Sequence, residues 1–226
     1  MRPPIPTCRP FSEPYDRSEV VADACMHGLS LAFALAGLLF LTRKADGLPT
    51  FQNASVWIYC IALVTMCAAS AAYNIWPVSS AKLLLRRFDH SAIFVFIAAT
   101  YTPFIAQSSH LEPNKALLIA IWTAAGIGVI LKVGFPGRLE RLSIVLCLAL
   151  GWSGVLAYEA VFRPLPPLTI YLIVTGGVLY SAGVVFHLWD RLRFQNVIWH
   201  AFVFTAAAVQ FFAVFNVVSA AATGKG

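Results

Sequence analysis

Two pairs of residues spaced four apart, Ser70 with Asn74 and Asn196 with His200, place polar side chains on single helical faces inside otherwise apolar stretches. Asp89 opens another such stretch, just after Lys82, Arg86 and Arg87. His27 lies in the first stretch, with Glu19 and Asp23 on the turns before it. Side chains of these types can hydrogen-bond a polar headgroup, exchange a proton or, through imidazole and carboxylate, hold a metal. Ionisable groups at membrane depth are costly and mark a site by default. Each also has a plainer role. Asn74 and Asn196 suit hydrogen bonds between helices, Asp89 suits an ion pair with Arg86 or Arg87, and His200 alone suits a satisfied core position. His90 points about 100° around the helix from Asp89, toward packing or the interface. His187 and Asp190 close a further stretch at headgroup level. The sorting of the whole group to one side is what carries the signal.

The elements that must position these residues follow from composition. The chain of 226 residues is 59% hydrophobic and only 12% charged, with a mean hydropathy of +0.76. A soluble domain carries about 25% charged residues, so half the usual solvating surface is missing. Seven runs, near 20–42, 55–75, 89–107, 115–134, 142–162, 168–188 and 197–219, are long enough to span as helices. Lys and Arg divide 11 to 5 between the two sides, with the N-terminal side the richer. By the positive-inside rule that side is cytoplasmic. The expected fold is an all-α membrane protein, a seven-transmembrane-helix bundle with its N-terminus in the cytoplasm and its C-terminus outside. The expected organisation is a mobile tail over 1–18, a membrane domain over 19–219 and a short tail over 220–226.

The net charge of +6 sits in short loops, where it reads as a topology signal and a contact to anionic lipid rather than to nucleic acid. The five cysteines show no CxxC spacing and read as small core residues. No apolar run precedes Val20, so the first span itself is expected to direct insertion without a cleaved signal. The runs Ala124-Ala125-Gly126-Ile127-Gly128 and Ala206-Ala207-Ala208 offer small residues for close helix contact.

The local sequences carry a resemblance. Ala22-Asp23-Ala24-Cys25-Met26-His27-Gly28, Ser70-Ala71-Ala72-Tyr73-Asn74, Leu85-Arg86-Arg87-Phe88-Asp89-His90, Tyr101-Thr102-Pro103-Phe104, Gly176-Gly177-Val178-Leu179-Tyr180 and Ile198-Trp199-His200-Ala201-Phe202 resemble, in order, the hemolysin III family of the progestin and adipoQ receptors. That resemblance implies a seven-helix bundle with a zinc site near the cytoplasmic face. It also implies ligands from a Ser-x-x-x-His and a His-x-x-x-His motif and an Asp that positions a water. The Ser matches Ser70, the Asp matches Asp89 and the last His matches His200. The other two ligand positions hold Asn74 and Asn196. An amide oxygen is a weak zinc ligand. The expectation is therefore a degenerate zinc site in a surviving pocket, unless His27, His187 or His90 replaces the lost imidazoles.

Several functions compete. A hydrolase of the ceramidase type would use zinc, with Asp89 and Ser70 as catalytic groups, to attack a lipid amide. A binding protein would present His27, Asn74, Asn196 and His200 to a lipid or fatty acid, with a role in membrane homeostasis. This second reading is the preferred one, because of the two Asn residues. Pore formation is disfavoured by the lack of amphipathic hairpins. Transport is disfavoured because no span except the one holding Pro103 carries an evident Gly or Pro interruption. The expected location is a cell inner (plasma) membrane, with membrane lipids as partners.

Overall fold

Lipid offers the backbone no hydrogen-bond partner, so apolar runs of this length must satisfy their own N–H and C=O groups by coiling. In the computed structural model, which describes residues 17–77, 79–107, 111–135, 139–189 and 191–224, all regular structure is helical. The α-helices are α1 (Arg17–Ala45), α2 (Thr50–Ile75), α3 (Ser80–Ala106), α4 (Leu111–Gly134), α5 (Glu140–Trp152), α6 (Pro167–His187) and α7 (Gln195–Ala222). Six of them, all but α5, are long and apolar enough to cross a membrane. Large apolar side chains such as Ile119, Ile130, Leu156 and Tyr171 are exposed, as a lipid-facing surface requires.

Loop chemistry ends the helices where the sequence places it. After α1 the chain reverses at Gly47, whose φ of 89° is one that residues with a Cβ rarely adopt. Asn53 then reaches back to donate its side-chain amide to the Ala45 carbonyl (2.9 Å), closing the end of α1. At the other end of α2, the Lys82 ammonium donates to the Trp76 carbonyl (2.8 Å). Ser79 caps α3 by accepting from the Lys82 N–H.

The helices form a ring in chain order, with α7 closing against α1 and α3 touching both α5 and α7. Tyr59, Phe94, Phe104, Leu41 and Leu63 are the large side chains at its closed centre. Small residues set the α3–α4 distance. A Cβ on Gly128 would fall inside the ring of Phe94, and Ala125 is buried one turn earlier. Of the same run, Gly126 faces open space. Cys25, Cys60, Cys67 and Cys147 are free thiols.

The fifth span differs from expectation. In place of one helix over 142–162, α5 stops at Trp152 and continues as a 3-10 turn (Ser153–Ala157) and a π turn (Tyr158–Phe162). The absence of Gly interruptions expected from sequence is thus corrected: Gly151 and Gly154 flank the break. The Tyr101 hydroxyl on α3 holds it, donating to the Gly151 carbonyl (2.7 Å) and accepting from the Gly154 N–H (2.8 Å). A Cβ on Gly154 would stand 2.9 Å from the Phe162 ring and 3.0 Å from that hydroxyl, so a larger residue would crowd both. Irregular backbone at this depth survives because protein groups meet its polar atoms. Of the expected 1–18 tail, Arg17 and Ser18 belong to α1, and the rest lies outside the described residues, as does Asp190.

Candidate functional site

The N-terminal end of α1 and the N-terminal end of α7 meet through a carboxylate. Glu19 Oε1 accepts the backbone N–H of Phe194 at 2.8 Å. Phe194, the residue ahead of α7, has φ 57°, a left-handed conformation uncommon outside Gly and strained for an aromatic residue. This left-handed residue stands immediately ahead of α7, whose first two turns carry Asn196 and His200.

One turn beyond Glu19 stands Asp23, which the sequence reading left outside its site and which the structure makes the hub. Its Oδ1 lies 2.6 Å from His200 Nδ1, and its Oδ2 accepts from the Asn196 amide at 3.3 Å. Asp23 Oδ2 is also 3.5 Å from His27 Nε2 on the next turn of α1. The His27 and His200 rings lie 4.4 Å apart. His27 is 4% exposed, and its Nε2 is buried without a hydrogen-bond partner. The signal for Asp23 was present in the sequence as the four-residue spacing to His27, one face of one helix. What the sequence lacked was any sign that His200 would arrive on the same carboxylate.

The two Asn residues do something different from ligation. Asn196 also donates to Asn74 Oδ1 (3.2 Å), and Asn74 donates to the Ser70 carbonyl (2.9 Å) and approaches its hydroxyl (3.5 Å). The chain Ser70–Asn74–Asn196–Asp23 is a relay of amides across α2 and α7 that ends by orienting a carboxylate. The Asn74 oxygen is spent on Asn196. Two of the three positions at which the family resemblance implies zinc ligands are thus amides engaged in hydrogen bonds, and only His200 offers an imidazole there. Asp23, His27 and His200 are the described residues that could hold a metal ion: their donor atoms lie within 4.8 Å of one another.

The other sequence candidates fall nearby, on the walls of one cavity of about 1560 Å³. Asp89 and Ser70 both line it, and Asp89 is buried. Asp89 makes no ion pair with Arg86 among the described residues; Arg86 reaches Glu140 on α5 instead (3.0 Å). Lys132 (3.4 Å) and His90 (3.9 Å) face the same carboxylate, so Glu140 joins α3, α4 and α5. His187 packs against Trp199 with the rings tilted and their centroids 4.8 Å apart. Of the three histidines that could have replaced the missing imidazoles, only His27 stands beside His200.

Glu140 precedes the fifth span. Its burial favours the neutral acid, but Arg86 and Lys132 outweigh it and hold the carboxyl below its usual range. A depressed folded value means the stabilisation is present above the unfolded value, about 4.3, and is lost as pH falls through the folded one. Glu140→Gln is thus expected to melt below wild type near neutral pH, with the gap closing in acid. Thermal melts of both proteins in detergent across that range check it, and a gap independent of pH would contradict it.

The cavity changes character along its length. Beyond the polar cluster its walls are mostly apolar, including Phe96, Ile97, Phe104, Ile173 and Val174, with Thr100, Tyr180 and Gln210 set among them. From Asp89 to Phe104, both on its wall, α3 climbs about 22 Å at about 1.5 Å per residue. At the α5–α6 seam the exposed Val155 and Val174 line it, beside a hydrogen bond from Trp152 Nε1 to Ser181 Oγ (3.0 Å).

Comparison with known proteins agrees with the sequence resemblance. The family model described as haemolysin-III related matches residues 17–211. The chain is 31% identical over 197 residues to the hemolysin-3 homolog of Bacillus subtilis, covering 87% of this chain and 92% of that protein. It is equally identical, over 197 residues, to hemolysin-3 of Bacillus cereus, covering 87% and 90%. The human monocyte to macrophage differentiation factor is 26% identical over 204 residues, covering 88% and 84%. No solved structure matches.

Proposed function

The chain belongs to the haemolysin-III-related family, and from that premise we propose that it is a multi-pass membrane protein that binds a single lipid or fatty acid in its central cavity. The observation that carries this reading is the cavity's polarity gradient. Asp23, Asn74, Asn196 and His200 crowd one end, and the remaining depth is mostly apolar, with Thr100, Tyr101, Tyr180 and Gln210 among its walls. That is the form of an amphiphile, with headgroup acceptors and donors at the polar end and room for a tail beyond them. The volume of about 1560 Å³ exceeds the range of about 300–1,000 Å³ typical of small-ligand pockets and leaves room for a lipid tail. In this reading the chain crosses the membrane seven times, α5 and its two irregular turns forming the fifth span. The charge asymmetry supports a polar end on the cytoplasmic side, and the proposed location is an inner (plasma) membrane. A pocket that sequesters or senses lipid would serve membrane homeostasis without chemistry.

The test is what copurifies. Mass spectrometry of lipid extracted from the detergent-purified protein is expected to show one retained lipid class. Ile97→Trp, which fills the apolar part, is expected to lose most of it while remaining folded. Equal lipid profiles in the two proteins would set the reading aside.

A second reading, metal-assisted hydrolysis of a lipid amide, is favoured by one observation, the convergence of Asp23, His27 and His200. A metal bound at such a site supplies Lewis-acid polarisation of a carbonyl. Its signature is fatty-acid release that a chelator abolishes.

A further inference from the structure

We propose that this chain holds a divalent first-row metal ion of the zinc class on Asp23, His27 and His200. Two of the ligands then come from α1, and α2 contributes none. The proposal stands on the donor geometry and is independent of what the apolar part of the cavity binds.

Four observations converge on it. First, the donor set is one carboxylate and two imidazoles, the ligand count and type of catalytic zinc sites with an open position. Second, the distances are close to those of a filled site. Two ligands each about 2.1 Å from a metal stand at most about 4.2 Å apart. The donors here lie within 4.8 Å of one another, so a rotamer adjustment closes the set without moving a helix. Third, the buried His27 Nε2 makes no hydrogen bond, and its ion-pair contact with Asp23 Oδ2 is long, at 3.5 Å. A buried ring nitrogen left this way costs free energy unless something binds it. Fourth, both of Asp23's ion-pair contacts among the described residues are histidines, so a cation between the three would balance a buried negative charge.

The amide relay acquires a role in this arrangement. Metal-bound carboxylates are held by hydrogen bonds from a surrounding shell. Asn196 supplies one to Asp23 Oδ2 at 3.3 Å, and Asn74 in turn holds Asn196 at 3.2 Å. Asn at these positions is thus compatible with a metal one helix away: it orients a ligand. The plainer alternative is a hydrogen-bonded His–Asp–His triad that needs no ion. The two differ in what happens when zinc is offered.

The experiment uses the full chain in detergent, stripped with a chelator and then incubated with zinc or cobalt. Elemental analysis is expected to find close to one zinc per chain after desalting. Cobalt is expected to produce the visible absorption of a low-coordinate site, and zinc to raise the melting temperature, since a ligand of the folded state stabilises it. Asp23→Asn and His27→Gln, both conservative in size, are expected to weaken zinc binding by more than about 100-fold, beyond what loss of a supporting hydrogen bond costs. Asn74→Ala, two links away, is expected to stay within about tenfold. Wild-type protein that takes up no zinc overturns the proposal, as does zinc uptake indifferent to His27→Gln. If either variant fails to fold, wild-type uptake and the cobalt spectrum still decide it. Lipid retention, measured on the same samples, reports the cavity separately, so failure of one reading is visible without the other.

Discussion

Asp23→Ala is expected to lower the stability of the purified protein by about 3–5 kcal/mol, the cost of removing one partner from a buried charged cluster. Asp23 joins α1 to two side chains of α7, one turn beyond the Glu19 contact with Phe194. Its side chain is 14% exposed, lies 2.6 Å from His200 Nδ1 and takes an amide hydrogen bond from Asn196. Alanine leaves the His200 Nδ1–H and the Asn196 amide without that acceptor in a low-dielectric pocket, and leaves His27 facing an empty space. Asp23→Asn keeps an acceptor for His200 while removing the charge, so it is expected to recover part of the loss. Thermal melting of the three proteins without metal measures both steps. An Asp23→Ala protein that melts with wild type would show that the α1–α7 contact is carried by packing, such as Phe33 against Phe204 and Phe211, and not by the carboxylate.

Tyr101→Phe is expected to cost about 1–3 kcal/mol, the desolvation penalty of buried backbone groups stripped of a partner. The substitution removes one oxygen and leaves the aromatic packing of Tyr101 against Phe162 intact, ring centroids 6.3 Å apart. What it takes away is the acceptor of the Gly154 N–H and a donor to the Gly151 carbonyl. The effect should be local first. Hydrogen exchange is expected to quicken over 151–162 with α7 unchanged, and melting to fall by the same order as the penalty. If exchange over that segment does not change, the break in the fifth span is stabilised by something other than this hydroxyl. Because Tyr101 and Gly154 both line the cavity, the same variant should alter lipid retention if the break shapes the pocket.

Much of this protein is legible locally. Arg17–Ala45, Thr50–Ile75 and Gln195–Ala222 are helices where hydropathy and length place spans, because in lipid an apolar run has no other way to satisfy its backbone. Ser70 with Asn74 shares a face because 3.6 residues make about one turn, and the two side chains do touch. The resemblance carried by Asp89, His200 and their neighbours is likewise a matter of short segments read in order, and the family match over 17–211 agrees with it. The fifth span was misread for the same reason that the others were read well. Its composition is mostly apolar, and composition cannot show that a tyrosine from another helix will hold open a turn at Gly151.

The sequence by itself determined that the chain is helical, that its apolar runs are of membrane length and that its polar side chains gather toward one end. Each of those follows from the local balance between burying side chains and satisfying backbone groups. Only the tertiary structure decided which polar side chains meet. Asp23 and His200 are 177 positions apart, and their contact depends on α7 closing the ring against α1. Arg86, free in the sequence to pair with Asp89, finds Glu140, 54 positions away, because α5 is beside it. Hydropathy sets the depth of each group, but the identity of its partner depends on which helices the packing makes neighbours.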